Sequence, residues 1–105
     1  MENQRLARLK EFLQQNPKDS FLRYCIALEY VSMGEDIEAI QHLEDLKKSD
    51  AEYLATYYQL GKLYEKIGQN KSAIFSFNLG IEIAKKQKDN HTLNELMSAL
   101  DDLLE

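Results

Sequence analysis

The chain has 105 residues, of which 44% are hydrophobic and 30% charged, a balance that suits one soluble globular domain and rules out a low-complexity or linker-dominated chain. Its net charge of -5 argues against nucleic acid as a partner, because binders of nucleic acid carry a clustered basic face, whereas the one short basic run here, Lys85-Lys86-x-Lys88, suits the end of a helix. The single cysteine, Cys25, excludes an intramolecular disulfide, no apolar run approaches the ~20 residues of a membrane span, and the first residues lack the apolar core of a signal peptide, so a cytoplasmic protein without membrane contact is expected.

Leu6, Leu9, Phe12 and Leu13 recur at helical spacing, and Asn16-Pro17 ends that first helix, because the residue before a proline avoids the α region. A second helix starts near Ser20 with Leu22, Ile26, Ala27 and Tyr30, and Gly34 closes it with a left-handed turn. Asp36 is expected to cap a third helix, which carries Ala39, Ile40, Leu43 and Leu46 on one face and stops around Lys47-Lys48-Ser49-Asp50. A fourth helix is expected over about 51–67, with Tyr57, Leu60, Gly61 and Tyr64 inward and Gly68 as its stop. A fifth covers about 70–86, with Ala73, Ile74, Phe77, Ile81 and Ile83, and a sixth begins near Asn90 and carries Leu93, Leu96, Met97, Leu100, Leu103 and Leu104. No segment alternates with period two, so the reading is all-α, six helices joined by short turns.

Two of these stretches echo each other. Ile26-Ala27-x-x-Tyr30, Gly34 and Ala39-Ile40-x-x-Leu43 return 34 residues later as Leu60-Gly61-x-x-Tyr64, Gly68 and Ala73-Ile74-x-x-Phe77. A fixed period of this length marks a stack of helix pairs, and such stacks usually build binding surfaces rather than reaction centres. The period and the residues at fixed offsets resemble the tetratricopeptide repeat family. Residues 54–87 match that family's signature best, through Tyr57, Leu60, Gly61, Tyr64, Ala73 and Phe77, and residues 20–53 match more loosely through Ile26, Ala27, Tyr30, Ala39 and Leu43. Three positions depart from it. Arg23 stands where a large aromatic is usual, and Leu46 and Gly80 replace the second small residue of each second helix. Gly80 weakens its helix by about 1 kcal/mol relative to Ala, and its expected role is to admit a neighbouring helix.

The resemblance implies antiparallel helix-turn-helix repeats stacked as a short right-handed α-solenoid of about six helices. It divides a single domain, 1–105, into an N-terminal half-repeat helix over 1–17, repeats over 20–53 and 54–87, and a C-terminal capping helix over 90–105. With two residues inserted before the last helix, Leu93, Leu96, Met97 and Leu100 take its inward positions. Ala27, Ala39, Gly61 and Ala73 fall where helices cross, beside the larger Tyr30, Leu43, Tyr64 and Phe77.

The same residues assign no catalytic, cofactor-binding or metal-binding role. The four glycines, at 34, 61, 68 and 80, form neither GxGxxG nor a P-loop, and His42 and His91 have no ligand partner at a metal spacing. Cys25 has no neighbouring His and reads as a partly buried small apolar residue, and adjacent Asp101 and Asp102 point to different sides of a helix. The resemblance instead implies a groove lined by the first helix of each repeat. Carried over by position, Phe21, Tyr24, Leu28, Val31 and Ser32 face it from the first repeat, Ala55, Tyr58, Lys62, Glu65 and Lys66 from the second, and His91, Asn94, Ser98, Asp101 and Asp102 from the last helix. The partner-binding candidates are Phe21, Tyr24, Leu28, Tyr58, Lys62, Glu65 and Lys66; the competing reading of the first three is burial under the N-terminal helix. Family members that grip the carboxylate ends of chaperones use Lys and Asn at groove positions held here by Tyr24 and Leu28, so that chemistry is not expected. The expected function is a non-catalytic scaffold module that binds a peptide or helix of a partner protein. The alternative is a structural protein that forms a homodimer through its terminal helices, because the last apolar stripe runs on to Leu103 and Leu104.

Overall fold

In a computed structural model, which describes residues 3–105, the chain forms six α-helices, and there is no strand among the described residues. They are α1 (Gln4–Gln15), α2 (Ser20–Ser32), α3 (Asp36–Ser49), α4 (Ala55–Lys66), α5 (Asn70–Gln87) and α6 (Asn90–Leu104). Two compact units result, α1–α3 in residues 1–53 and α4–α6 in residues 54–105.

Short polar side chains start three of the helices. Asn3 accepts the Leu6 N–H at 2.7 Å, Asp19 accepts that of Leu22 at 3.0 Å, and Asp89 accepts that of Thr92 at 3.0 Å. The Thr92 amide and hydroxyl together hold the Asp89 carboxyl below its ordinary range. Glu35, rather than the expected Asp36, occupies the cap position of α3, and it makes no capping bond; Asp36 is the first helical residue, where with Glu38 it complements the positive end of the helix.

The stops repeat as the sequence does. At Gly34 (φ 76°) the Glu35 N–H reaches the Tyr30 carbonyl at 2.9 Å, and at Gly68 (φ 83°) the Gln69 N–H reaches the Tyr64 carbonyl at 2.8 Å. α5 ends by the same device without a glycine: Lys88 takes φ 60°, and the Asp89 N–H reaches the Ala84 carbonyl at 3.0 Å. α4 starts later than the pattern predicts. Asp50 leaves the helical region at φ -149°, the Tyr53 N–H turns back to its carbonyl at 3.1 Å, and the helix begins only at Ala55.

In the first unit α2 pairs with α3 across a three-residue turn, residues 33–35, and α1 packs on α2. Leu6, Ile26, Ala27, Ala39, Leu43 and Leu46 are essentially inaccessible. Phe12 is 53% exposed, so the apolar stripe of α1 is only partly used. A buried carboxylate ties α1 to α2: Glu29 accepts from Asn3 Nδ2 at 2.8 Å and from Arg5 Nη1 at 3.3 Å, so Asn3 both caps α1 and holds its neighbour.

In the second unit α5 packs against both α4 and α6 around Tyr57, Phe77, Ile81 and Leu96. Gly61 lies under the ring of Phe77, where any β-carbon would overlap it. Gly80 has helices on two sides: an added Cβ would stand 2.7 Å from Tyr57 Cβ and 3.0 Å from Leu96 Cδ1. The expected close approach at Gly80 is thus met twice over. Met97, placed inward by the sequence pattern, is 46% exposed. α6 docks through a face centred on Leu96 and Ala99, and Met97 lies about 100° round from Leu96.

Candidate functional site

The candidate residues on α2 share one face, at i, i+3 and i+7, while Ile26 and Ala27 point into the core from the other side. Phe21, near the start of the helix, is 62% exposed, and Tyr24 and Leu28 are half-buried. The Tyr24 ring lies 5.7 Å from that of Tyr53, tilted by 54°. Burial first, and then Tyr24 and nearby acidic groups, push the Tyr53 phenol up, so it stays neutral well above pH 7. Beside them Cys25 is half-buried, and burial followed by the charge of Asp19 raises its thiol, which keeps it protonated and poorly nucleophilic.

Tyr58, Lys62 and Glu65 also share a face, at i, i+4 and i+7 of α4, with Lys66 next to Glu65. Leu60, Gly61 and Tyr57 are buried beneath them. Tyr58 is half-buried, its ring 6.4 Å from Phe77 and tilted by 54°. Lys62 Nζ stands 3.6 Å from Glu65 Oε1, with Lys62 exposed and Glu65 half-buried at the surface, so the pair contributes only about 0.3–0.5 kcal/mol and is readily exchanged for a partner's charges.

A relationship between the two faces follows from the period. Tyr24 and Tyr58 occupy equivalent positions 34 residues apart, each is half-buried, and each is braced by a tilted ring. On α6 the corresponding residues His91, Asn94, Ser98, Asp101 and Asp102 are all exposed and carry no such anchor. His91 Nε2 sits 3.7 Å from Glu95 Oε2 on the same helix.

Sequence reasoning did not find the cluster on the other side of α2. His42 of α3 stacks on Tyr30 at 4.9 Å between centroids and 19° between planes, and Lys10 Nζ lies 5.7 Å from the same ring. Burial lowers His42 below its ordinary value and outweighs the opposing pull of Glu38 and Asp45. A cleft of about 420 Å³ opens beside it, bordered by α1, by Arg23 and Ile26 of α2, and by His42. Arg23, the departure from the repeat signature, was the only pointer to it in the sequence.

Among the described residues, no three His, Cys, Asp or Glu side chains converge as metal ligands would. No described helix is long and apolar enough to cross a membrane.

Comparison with known proteins identifies the repeat. The family model described as a tetratricopeptide repeat matches residues 54–87. A tetratricopeptide repeat domain protein from Salinibacter ruber, solved in solution by NMR, is 36% identical, with a TM-score of 0.79 over 83% of this chain and 88% of that one. A crystal structure of a tetratricopeptide repeat domain protein from the same organism is 35% identical, with a TM-score of 0.78 over 81% of this chain and 94% of that one. The solution structure of a Bordetella parapertussis protein, at 24% identity, has a TM-score of 0.83 over 99% of this chain and 90% of that one, a likeness of fold alone. No curated protein sequence matches the chain.

Proposed function

The chain belongs to the tetratricopeptide repeat family, whose members are in general protein-interaction modules, and from that premise we propose that it is a non-catalytic scaffold that holds a peptide or helical segment of a partner protein. The working surfaces in this reading are the face of Phe21, Tyr24 and Leu28 in the first unit and that of Tyr58, Lys62, Glu65 and Lys66 in the second, each taken by itself. The observation that carries it is the equivalence of Tyr24 and Tyr58, two half-buried tyrosines one period apart, each braced by a second ring. Binding surfaces concentrate their energy in such rigid aromatic anchors, and the exposed Phe21 and the exchangeable Lys62–Glu65 pair supply the surrounding contacts. We read the chain as one domain built from a half-repeat over 1–17, repeats over 20–53 and 54–87 and a capping helix over 90–105, and as cytoplasmic. Affinity capture on the wild type and on a Tyr58→Ala/Lys62→Glu variant tests the surface. A protein is expected to be retained by the first and lost by the second; equal retention by both rejects the assignment.

Self-association is the second reading, favoured by Met97 and Leu104. They are 46% and 61% exposed and lie seven residues apart on one side of α6. A dimer by light scattering that reverts to monomer in Met97→Lys supports it, and a monomeric mass at high concentration rejects it.

A further inference from the structure

Arg23 stands one 34-residue period before Tyr57, and Leu46 one period before Gly80. In the second unit bulk is on α4: Tyr57 is 2% exposed and packs over Gly80. In the first unit bulk is on α3: Leu46 is fully buried, and Arg23 turns aside, donating from Nε and Nη2 to the Pro17 carbonyl at 3.1 and 2.8 Å. The space next to Arg23 is left open as the cleft of about 420 Å³, within the range of about 300–1,000 Å³ typical of ligand pockets. Its walls are the apolar Leu13 and Pro17 over the buried Ile26, and its rim carries the cations Lys10 and Arg23 beside the uncharged His42 ring, a basic spot on a chain of net charge -5.

We propose that this cleft is a second binding site, which takes an aromatic side chain of a partner segment flanked by carboxylates. An aromatic ring suits it because the repeat frame puts Tyr57 at the position that Arg23 holds here, because the walls are apolar, and because a guanidinium plane stacks on rings. Carboxylates suit it because Arg23 has five N–H donors and Pro17 engages two of them. The groups facing His42 are Lys10 of α1, Arg23 of α2, and Glu38 and Asp45 of α3; an incoming carboxylate adds to the pull of the last two and raises the titration point of the ring. Arg23 and Ile26 lie on the opposite side of α2 from Phe21, Tyr24 and Leu28, so the site is separate from the surface proposed above.

The chain contains no tryptophan, so a blocked peptide Glu-Glu-Trp-Glu-Glu is the sole indole emitter in a titration with the full chain. The proposal expects a saturable blue shift, changes at the His42 ring and Ile26 methyl resonances, and at least tenfold weaker binding of Lys-Lys-Trp-Lys-Lys. Arg23→Tyr, which restores the residue of the second repeat, is expected to weaken binding at least tenfold. Lys10→Glu, a change on the surface of α1, is expected to do the same and serves if Arg23→Tyr does not fold. Tyr58→Ala/Lys62→Glu is expected to leave it unchanged. Absence of saturation, equal affinity of both peptides, or wild-type affinity in Lys10→Glu overturns the proposal, as does loss of binding in the Tyr58→Ala/Lys62→Glu variant.

Discussion

Tyr57 packs directly over Gly80, so closely that a β-carbon on Gly80 would stand 2.7 Å from Tyr57 Cβ. This contact explains a glycine in the middle of α5, where it weakens the helix by about 1 kcal/mol relative to Ala. The tight atom is a β-carbon fixed to the backbone of α4, so no change of rotamer relieves it. Gly80→Ala therefore gains about 1 kcal/mol of helix propensity and loses about 1–3 kcal/mol to overpacking. A net loss of order 1 kcal/mol is expected in urea denaturation; a clear gain in stability would show that the helices move apart at no cost.

The other unusual backbone position gives the opposite sign. Lys88 is the only non-glycine with positive φ among the described residues, at 60°, and it ends α5 as Gly34 and Gly68 end α2 and α4. A side chain in that conformation is disfavoured by about 1–2 kcal/mol. Part of this is offset by the greater freedom of glycine in the unfolded chain, so Lys88→Gly is expected to stabilise by about 1 kcal/mol. Thermal unfolding checks this, and an unchanged or lower midpoint contradicts it.

Stability should also depend on His42. Burial lowers its folded-state titration point below 6.5, so the unfolded chain takes up the proton more readily. The stability this represents is present above about pH 6.5 and is lost as pH falls from there through the lowered folded value. Asp89, also lowered, acts on the same side but only below its ordinary 3.8. His42→Phe keeps a ring on Tyr30 and removes the titration. Between pH 7.5 and pH 5, the wild type is expected to lose more stability than His42→Phe; parallel pH profiles exclude the linkage.

The helices were legible because their signals are local. Asn16-Pro17, Gly34 and Gly68 stop helices by backbone chemistry that depends on one or two residues, and Ile26, Leu43, Leu60 and Phe77 recur at a period that packing imposes. The fourth helix was expected to start too early because residues 51–54 contain nothing hostile to a helix; the turn there is set by a backbone bond from Tyr53 to Asp50. Met97 looks apolar and inward in sequence, but α6 settles on Leu96 and Ala99, and that choice belongs to α5 rather than to α6. On the candidate surface the frame picked out Tyr24 and Tyr58 by position, yet their bracing rings, Tyr53 and Phe77, come from other elements. The Glu29–Asn3 tie and the His42–Tyr30 stack likewise join separate helices, at separations that no periodicity encodes.

The proposed function is that the braced tyrosine faces of α2 and of α4 each contact a partner segment. Its most direct test is a binding curve for the segment of a captured protein, measured on the wild type and on Tyr58→Ala/Lys62→Glu, with circular dichroism and melting point showing that both are folded. Loss of one aromatic anchor and reversal of one charge are expected to raise Kd tenfold or more. An unchanged Kd in a variant with an intact fold would contradict the claim.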